Sequence, residues 1–354
     1  MFDTLRRRHV ALLAAVAASL LLSGCNSVDY YSHLANGQLQ LLNAREPVAE
    51  LLNRPTADPA LKQRLALAQQ ARDFASAELA LPNNHSYRVY ADIQRPFVLW
   101  NVFATSEFSL APELHCFPIA GCVAYRGFFS QGRARGAAAL LKQQRLDTYI
   151  GGVEAYSTLG WFDDPIINSM LRWSDERLAA VIFHELAHQQ LYIADDSAFN
   201  ESFASFVERE GLGQWRTAQR LPPADAQGER QRAHFTALVM ASRERLQQLY
   251  DSDLARAPMR AAKQAEFERL RTEYHALSKR EWAGNGRYDN WINAPMNNAK
   301  LLPFGLYDQW VPAFAALFEH VGRDWPSFYQ RAATLSRLTQ PERREALIKL
   351  SAGT

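Results

Sequence analysis

The sequence predicts an α+β fold, a small sheet followed by mostly helices, and three observations carry that prediction. Apolar residues alternate from Tyr87 through Val89, Ala91 and Ile93, and again through Val98, Trp100 and Val102, the period of half-buried strands. Leu, Ala, Gln and Arg dominate Tyr30–Leu81, and Leu and Phe recur at three-to-four spacing over 216–281, the period of helices. No repeat of 20–50 residues and no low-complexity tract interrupts these patterns.

In chain order, breaks at Pro47, Pro55 and Pro59 divide the first region into two or three helices, the last over Pro59–Leu81. Pro82-Asn83-Asn84 is a turn, and the two alternating runs are strands. Val123–Phe129 and Asp147–Thr158 read as two more strands, separated by an Ala/Leu-rich helix near Ala134–Arg145. Ser174, followed by Asp175 and Glu176, caps a helix running to about Tyr192. A second helix begins near Asp196 or Ser197 and is expected to stop at Gly211 and Gly213. Residues 216–281 fit a long helical hairpin joined near Asp251–Pro258, with a coiled-coil partner site as the alternative. The stretch 300–350 is helical, and Thr339-Gln340-Pro341-Glu342 is a capping box with Pro in the first turn.

The 354 residues are 48% hydrophobic and 21% charged, which excludes a disordered or fibrous chain. Arg6-Arg7-Arg8, an apolar run from Val10 to Leu22 and the small residues Ser23-Gly24 form a secretory leader. That run is short of the roughly 20 residues a membrane span requires. Its ending, Leu22-Ser23-Gly24-Cys25, resembles the lipobox of bacterial lipoproteins, which implies lipidation at Cys25. Asn26, where Asp often holds such proteins in the inner membrane, points to the outer membrane facing the periplasm. Without residues 1–24, Lys+Arg falls from 39 to 36 and Asp+Glu from 37 to 36, leaving a neutral chain. A neutral chain has no electrostatic footprint for nucleic acid. In an oxidising compartment Cys116 and Cys122 are expected to pair, helped by the turn formers Pro118 and Gly121. A metal site with His115 is the rival, but its spacing does not suit zinc knuckles.

Phe183-His184-Glu185-Leu186-Ala187-His188 carries the chemistry. Histidines at i and i+4 share one helix face, so two imidazoles converge on one ion. Glu185 stands beside that ion and can take a proton from a water that zinc has acidified. Val181, Ile182, Phe183, Leu186 and Ala187 make the helix apolar on nearly every side, and buried polar residues need partners. The alternative is a helix with two surface histidines and a solvated glutamate. A catalytic zinc takes three protein ligands. Glu201 in the next helix, after the short loop Ile193–Asp196, is the first candidate for the third; Asp195, Asp196 and Glu208 are the others. Glu208, on the same face as Glu201, could instead accept a hydrogen bond from a ligating histidine.

His184-Glu185-x-x-His188 with Asn200-Glu201-x-x-Ala204 downstream resembles the gluzincin, thermolysin-like branch of zinc peptidases. The chain further resembles a family of bacterial exported lipoproteins described as putative aminopeptidases. The match is carried by 121–127, 155–162, 183–189, 199–211 and, more weakly, Asn297-Asn298-Ala299. This resemblance implies a zincin-like catalytic core, Zn2+ held by His184, His188 and Glu201, and Glu185 as general base. It implies peptide or protein substrates bound along a sheet edge upstream of the active helix. Asp147–Thr158 is placed for that, giving Gly152, Glu154 and Tyr156 as substrate-binding candidates. Gly151-Gly152-Val153-Glu154-Ala155 is similar to an aminopeptidase motif whose glutamate binds the free amine, although its Met and Asn are missing here; an exposed strand residue is the other reading of Glu154. Tyr307 is the first choice for the oxyanion donor, with Tyr156, Tyr288 and His234 as alternatives.

The domain reading is a leader over 1–24, an N-terminal helical region over 25–85, a catalytic core over 86–215, the hairpin over 216–281 and a C-terminal helical region over 282–354. The expected function is a zinc peptidase tethered to a bacterial membrane. A non-catalytic zinc-binding envelope lipoprotein using the hairpin as a binding arm is the alternative, and hydrolysis of a cell-wall amide a third reading. No cysteine lies near the motif to close a structural zinc site, which favours catalysis.

Overall fold

The computed structural model describes residues 28–117, 121–155, 157–222, 226–305 and 307–352. The leader and Cys25 lie outside the described residues, as does Tyr156. The chain divides into two compact units at Arg45/Glu46. The first contributes a helix over residues 28–43, α1, and the short strand β1 (Arg45–Pro47) starts at the division. No helix among the described residues is long and apolar enough to cross a membrane.

The second unit is α+β, and in the whole structure helices account for 61% and strands for 11%. After α2 (Val48–Asn53), Asp58 caps α3 (Pro59–Ala77) by accepting from the Ala60 amide at 2.9 Å. β2 (Val89–Ala91) is short and pairs in parallel with β8 (Ile166–Ile167). β3 (Leu99–Ser106) is the buried centre of an antiparallel sheet. β6 (Tyr125–Phe128) lies on one side of it and β7 (Leu146–Val153) on the other. β4 (His115–Phe117) and β5 (Gly121–Val123) form a separate ribbon, with Cys116 and Cys122 directly opposite and joined by a disulfide. The strand expected over Val123–Phe129 is therefore two elements broken at Ala124. The one expected over Asp147–Thr158 stops at Val153, where the Ser169 hydroxyl takes the Glu154 carbonyl at 2.6 Å and draws the chain away.

α4 (Gln131–Gln143), capped by Ser130, covers one sheet face through Ala134 and Ala138. On the other face Phe103, Tyr125 and Tyr149 pack against Ala299 and Leu302. α5 (Asp175–Gln190) starts at Ser174, whose hydroxyl accepts from the Arg177 amide at 3.3 Å. It packs along α3 and along α6 (Ser197–Ala218).

α6 corrects one expectation. It runs through Gly211 and Gly213 rather than stopping there. At Gly211 a Cβ would stand 2.6 Å from Leu79 and 3.3 Å from Phe183, so glycine serves close packing inside the helix. Tertiary contact outweighs the glycine penalty of about 1 kcal/mol. The back of α6 presents Phe199, Phe203 and Phe206 at helical spacing. These rings pack, mostly edge-on or tilted, against Phe314 and Phe318 of α11 (Val311–His320) and Phe328 of α12 (Trp325–Ser336). Glu201, Ser205 and Glu208 fall on the opposite face, since a two-residue offset turns about 200° around a helix.

α7 (Ala226–Tyr250) and α8 (Arg256–Glu281) form a hairpin packed through Phe235, Val239, Leu246, Phe267 and Leu270. Buried Lys263 of α8 binds Asp147 of β7 at 2.6 Å and so ties the hairpin to the sheet. α9 (Asp289–Asn293) and α10 (Asn298–Leu301) follow. α13 (Gln340–Ala352) begins with the capping box, Glu342 accepting from the Thr339 amide at 3.0 Å.

Candidate metal centre

The last turns of α5 and the first turn of α6 bring three ligating side chains together. His184 and His188 are each 8% exposed, their rings 4.9 Å apart between centroids. Glu201 Oε2 lies 3.4 Å from His184 Nε2 and 3.7 Å from His188 Nε2. These three residues could hold a metal ion. A tetrahedral zinc with bonds of about 2.0–2.1 Å separates neighbouring donors by about 3.3–3.4 Å. Among the described residues Glu201 Oε2 is buried with no hydrogen-bond partner. Such an oxygen is costly unless a cation takes it, so the donor set fits a divalent ion.

Local sequence explains why Glu201 arrives there. Asn200, buried one residue earlier, donates to the Ile193 carbonyl at 2.7 Å and accepts from the Ile193 amide at 2.8 Å. That double bond closes the α5–α6 turn on itself. Asp196 caps α6 through the Phe199 amide at 3.1 Å and pairs with Arg343 at 2.8 Å. Asp195 accepts from the Cys122 amide at 2.6 Å, which fixes the disulfide ribbon to the same turn. Gly121 has φ +69°, and a Cβ there would stand 2.6 Å from Asp195, so only glycine allows this approach. Both aspartates are thus engaged away from the three donors. Glu208 accepts from His184 Nδ1 at 2.9 Å, which orients the ring and leaves Nε2 facing Glu201.

Electrostatics follow from this crowding. Burial alone would lower the His184 pKa, but the facing Glu201 and Glu208 carboxylates hold it well above the usual value. Burial alone would raise Glu201, yet the facing His188 and His184 hold it well below the carboxylate range. Glu185 is pushed up by burial, with the Glu201 and Asp164 charges adding to the rise and both histidines opposing it. A raised carboxyl is a better proton acceptor at neutral pH than an ordinary one.

Tyr307 is at the site. Its ring stacks 6.1 Å from that of His184, and the residue is 41% exposed. The Glu201 charge first, and burial second, keep this phenol protonated far above its ordinary range. Two further tyrosines, Tyr125 of β6 and Tyr192 after α5, are shifted upward by burial and then by the Glu201 charge. Sequence reasoning assigned them no role, although Tyr125 lies in the family-matching stretch 121–127. Tyr288 and His234 are elsewhere: Tyr288 stacks on Phe235 in the hairpin core and His234 pairs with Glu281.

The substrate candidates divide. Gly152 lies on β7, an edge strand of its sheet, and a Cβ there would meet the Phe97 ring at 2.6 Å. The Glu154 carboxylate accepts from Trp173 Nε1 at 2.9 Å and from Arg177 at 3.0 Å. Arg177 is seven residues before His184, about 10 Å along the helix, so the structure does not bring Glu154 to the three donors.

Two helices presenting His-Glu-x-x-His and a returning glutamate define a class of protein with a candidate divalent-metal site at a helix seam. The profile of the family described as "Putative aminopeptidase" matches residues 29–347, and the chain belongs to that family. No curated protein and no solved structure matches the chain.

Proposed function

We propose that this protein is a zinc-dependent peptidase of the gluzincin type, an aminopeptidase as its family's description suggests. The observation that carries the reading is the partnerless Glu201 Oε2, set between two imidazole Nε2 atoms at ligand-to-ligand distances. When bound there, zinc supplies Lewis acidity and lowers the pKa of a water towards 7. Glu185, buried and raised, accepts the proton released in attack on the peptide carbonyl and passes it to the leaving amine. Tyr307, held neutral, donates its O–H to the developing oxyanion. Glu208 keeps the His184 tautomer fixed throughout. An extended peptide adds to the outer edge of β7, whose inner edge is paired with β3 along its whole length.

In this reading Cys25 carries the lipid and the catalytic unit faces the periplasm from the outer membrane. The division 1–24, 25–85, 86–215, 216–281 and 282–354 then separates leader, N-terminal helices, core, hairpin and C-terminal helices. The test is metal analysis and peptide cleavage on purified wild type and Glu185→Gln, with and without chelator. Metal retained and turnover lost in Glu185→Gln supports the mechanism; unchanged turnover removes it.

A further inference from the structure

Beyond the metal site, the segment over residues 157–164 departs from ordinary loop behaviour. Residues 160–163 are exposed and 164–167 buried, and the exposed part contains two consecutive large aromatics, Trp161 at 67% and Phe162 at 46%. Single exposed apolar residues are unremarkable, but two adjacent aromatic rings held out on a closed loop need a reason.

The loop is locked by its own polar groups. Thr158 Oγ1 accepts from the Phe162 amide at 3.1 Å, and the Thr158 carbonyl accepts from the Trp161 amide at 3.2 Å. Leu159 and Gly160 both have positive φ, 57° and 79°, closing the turn. Below the tip, buried Asp164 accepts from the Thr158 amide and hydroxyl, the Ser157 hydroxyl at 3.0 Å and Gln189 Nε2 at 3.0 Å. Gln189 is in turn held by Asn84, which donates to its Oε1 at 2.7 Å. The aromatics are therefore presented in a fixed position, which lowers the ordering entropy of binding.

The anchor decides what they would meet. Gln189 follows His188 directly and lies one helical turn after Glu185, on the same face. A Cβ at Gly160 would be 3.5 Å from Gln189 Oε1, so the loop rests on the C-terminal end of α5.

We propose that Trp161 and Phe162 form an apolar specificity subsite for one side chain of the peptide substrate, presented by a loop anchored on Gln189, one helical turn after Glu185. The proposal rests on the peptidase reading, and its selectivity comes from apolar burial: the 157–164 segment carries no Lys or Arg to attract an acidic residue.

The test is binding by calorimetry to Zn2+-supplemented Glu185→Gln protein. The ligands are short peptides carrying Phe, Leu or Ser at each position in turn. Trp161→Ala and Phe162→Ala are expected to weaken Phe and Leu peptides at one position at least tenfold and the Ser peptides less than twofold, with Tm unchanged because both side chains are exposed. Trp161→Phe should retain affinity within about threefold of the parent, since an aromatic ring remains. Equal weakening of Ser peptides, or affinities indifferent to the loop, overturns the subsite. So does a loop variant that keeps its peptide affinities and instead loses binding to phospholipid vesicles. Turnover by the wild-type chain separates the two readings. Cleavage without loop-dependent affinity removes the subsite alone. Loop-dependent affinity without any zinc-dependent cleavage removes the peptidase reading, and the loop then counts as a peptide-binding site and no longer as a substrate subsite.

Discussion

Two helix pairs of this protein make opposite use of the same architecture. α5–α6 and α7–α8 are each joined by a short turn and packed side by side. In the α7–α8 seam the facing residues are Phe235, Val239, Leu246, Phe267 and Leu270, and several charges pair on its outer faces, as in Arg245 with Glu273 and Arg269 with Glu273. In the α5–α6 seam the order is reversed near the turn: two imidazoles and a carboxylate face one another, and the phenylalanines are on the back. Burying polar groups without partners costs about 1–3 kcal/mol each, more for charged ones. One pair is thus built for stability, and the other gathers buried polar groups at a candidate metal site.

The largest effect that tests this contrast is on turnover. Glu185→Gln should lower peptide cleavage about 10³-fold, the scale of a lost general base, while bound metal stays at the wild-type level. Loss of metal together with activity would make Glu185 a structural residue and blur the difference between the pairs. Next is the link between hairpin and sheet: Lys263→Ala leaves Asp147 without its buried partner and should cost about 3 kcal/mol in urea unfolding. A change below about 1 kcal/mol would show that this pair adds little to holding the hairpin, which Arg256 and Arg260 also tie to Glu107.

The metal itself comes third. At a hundredfold excess over its Kd, zinc should stabilise the wild-type fold by about 2.7 kcal/mol, and His188→Ala or Glu201→Ala should abolish that shift in calorimetry. An equal shift in the variants would move the ion elsewhere. A smaller effect concerns Lys300, whose amine is buried against the Trp291 and Pro295 carbonyls and lowered to about 8. The ionised form is disfavoured in the fold, so its penalty is present at and below about pH 8. The penalty fades as pH rises towards the ordinary lysine value near 10.5. Wild-type stability should therefore gain on Lys300→Met between about pH 8 and 10.5, and parallel pH curves would contradict the assignment. Smallest of all, Arg269→Ala on the exposed hairpin face should change stability by less than about 0.5 kcal/mol.

The sequence made the local half of this picture legible. Helix starts at Ser174 and Thr339 are written in capping residues that act within three positions. The two histidines share a face because helical spacing alone requires it. Glu201 could be placed because the turn before it is short. What stayed hidden depends on long-range approach. Gly211 reads as a helix stop until Leu79 and Phe183 are seen against it. Asn200 sits in a quoted motif, but its grip on Ile193 is a property of the folded turn. Tyr125 comes from a strand 76 positions before Glu201, and no periodicity relates the two. Glu154 looked like a candidate amine binder from its neighbours, whereas the fold supplies Trp173 and Arg177 to it.

The most direct measurement is anomalous diffraction at the zinc edge from crystals grown with Zn2+. The account predicts one peak at full occupancy, about 2.0–2.2 Å from His184 Nε2, His188 Nε2 and a Glu201 carboxylate oxygen, and no peak there in Glu201→Ala crystals. A peak bound by other residues, or an unaltered peak in the variant, would contradict it.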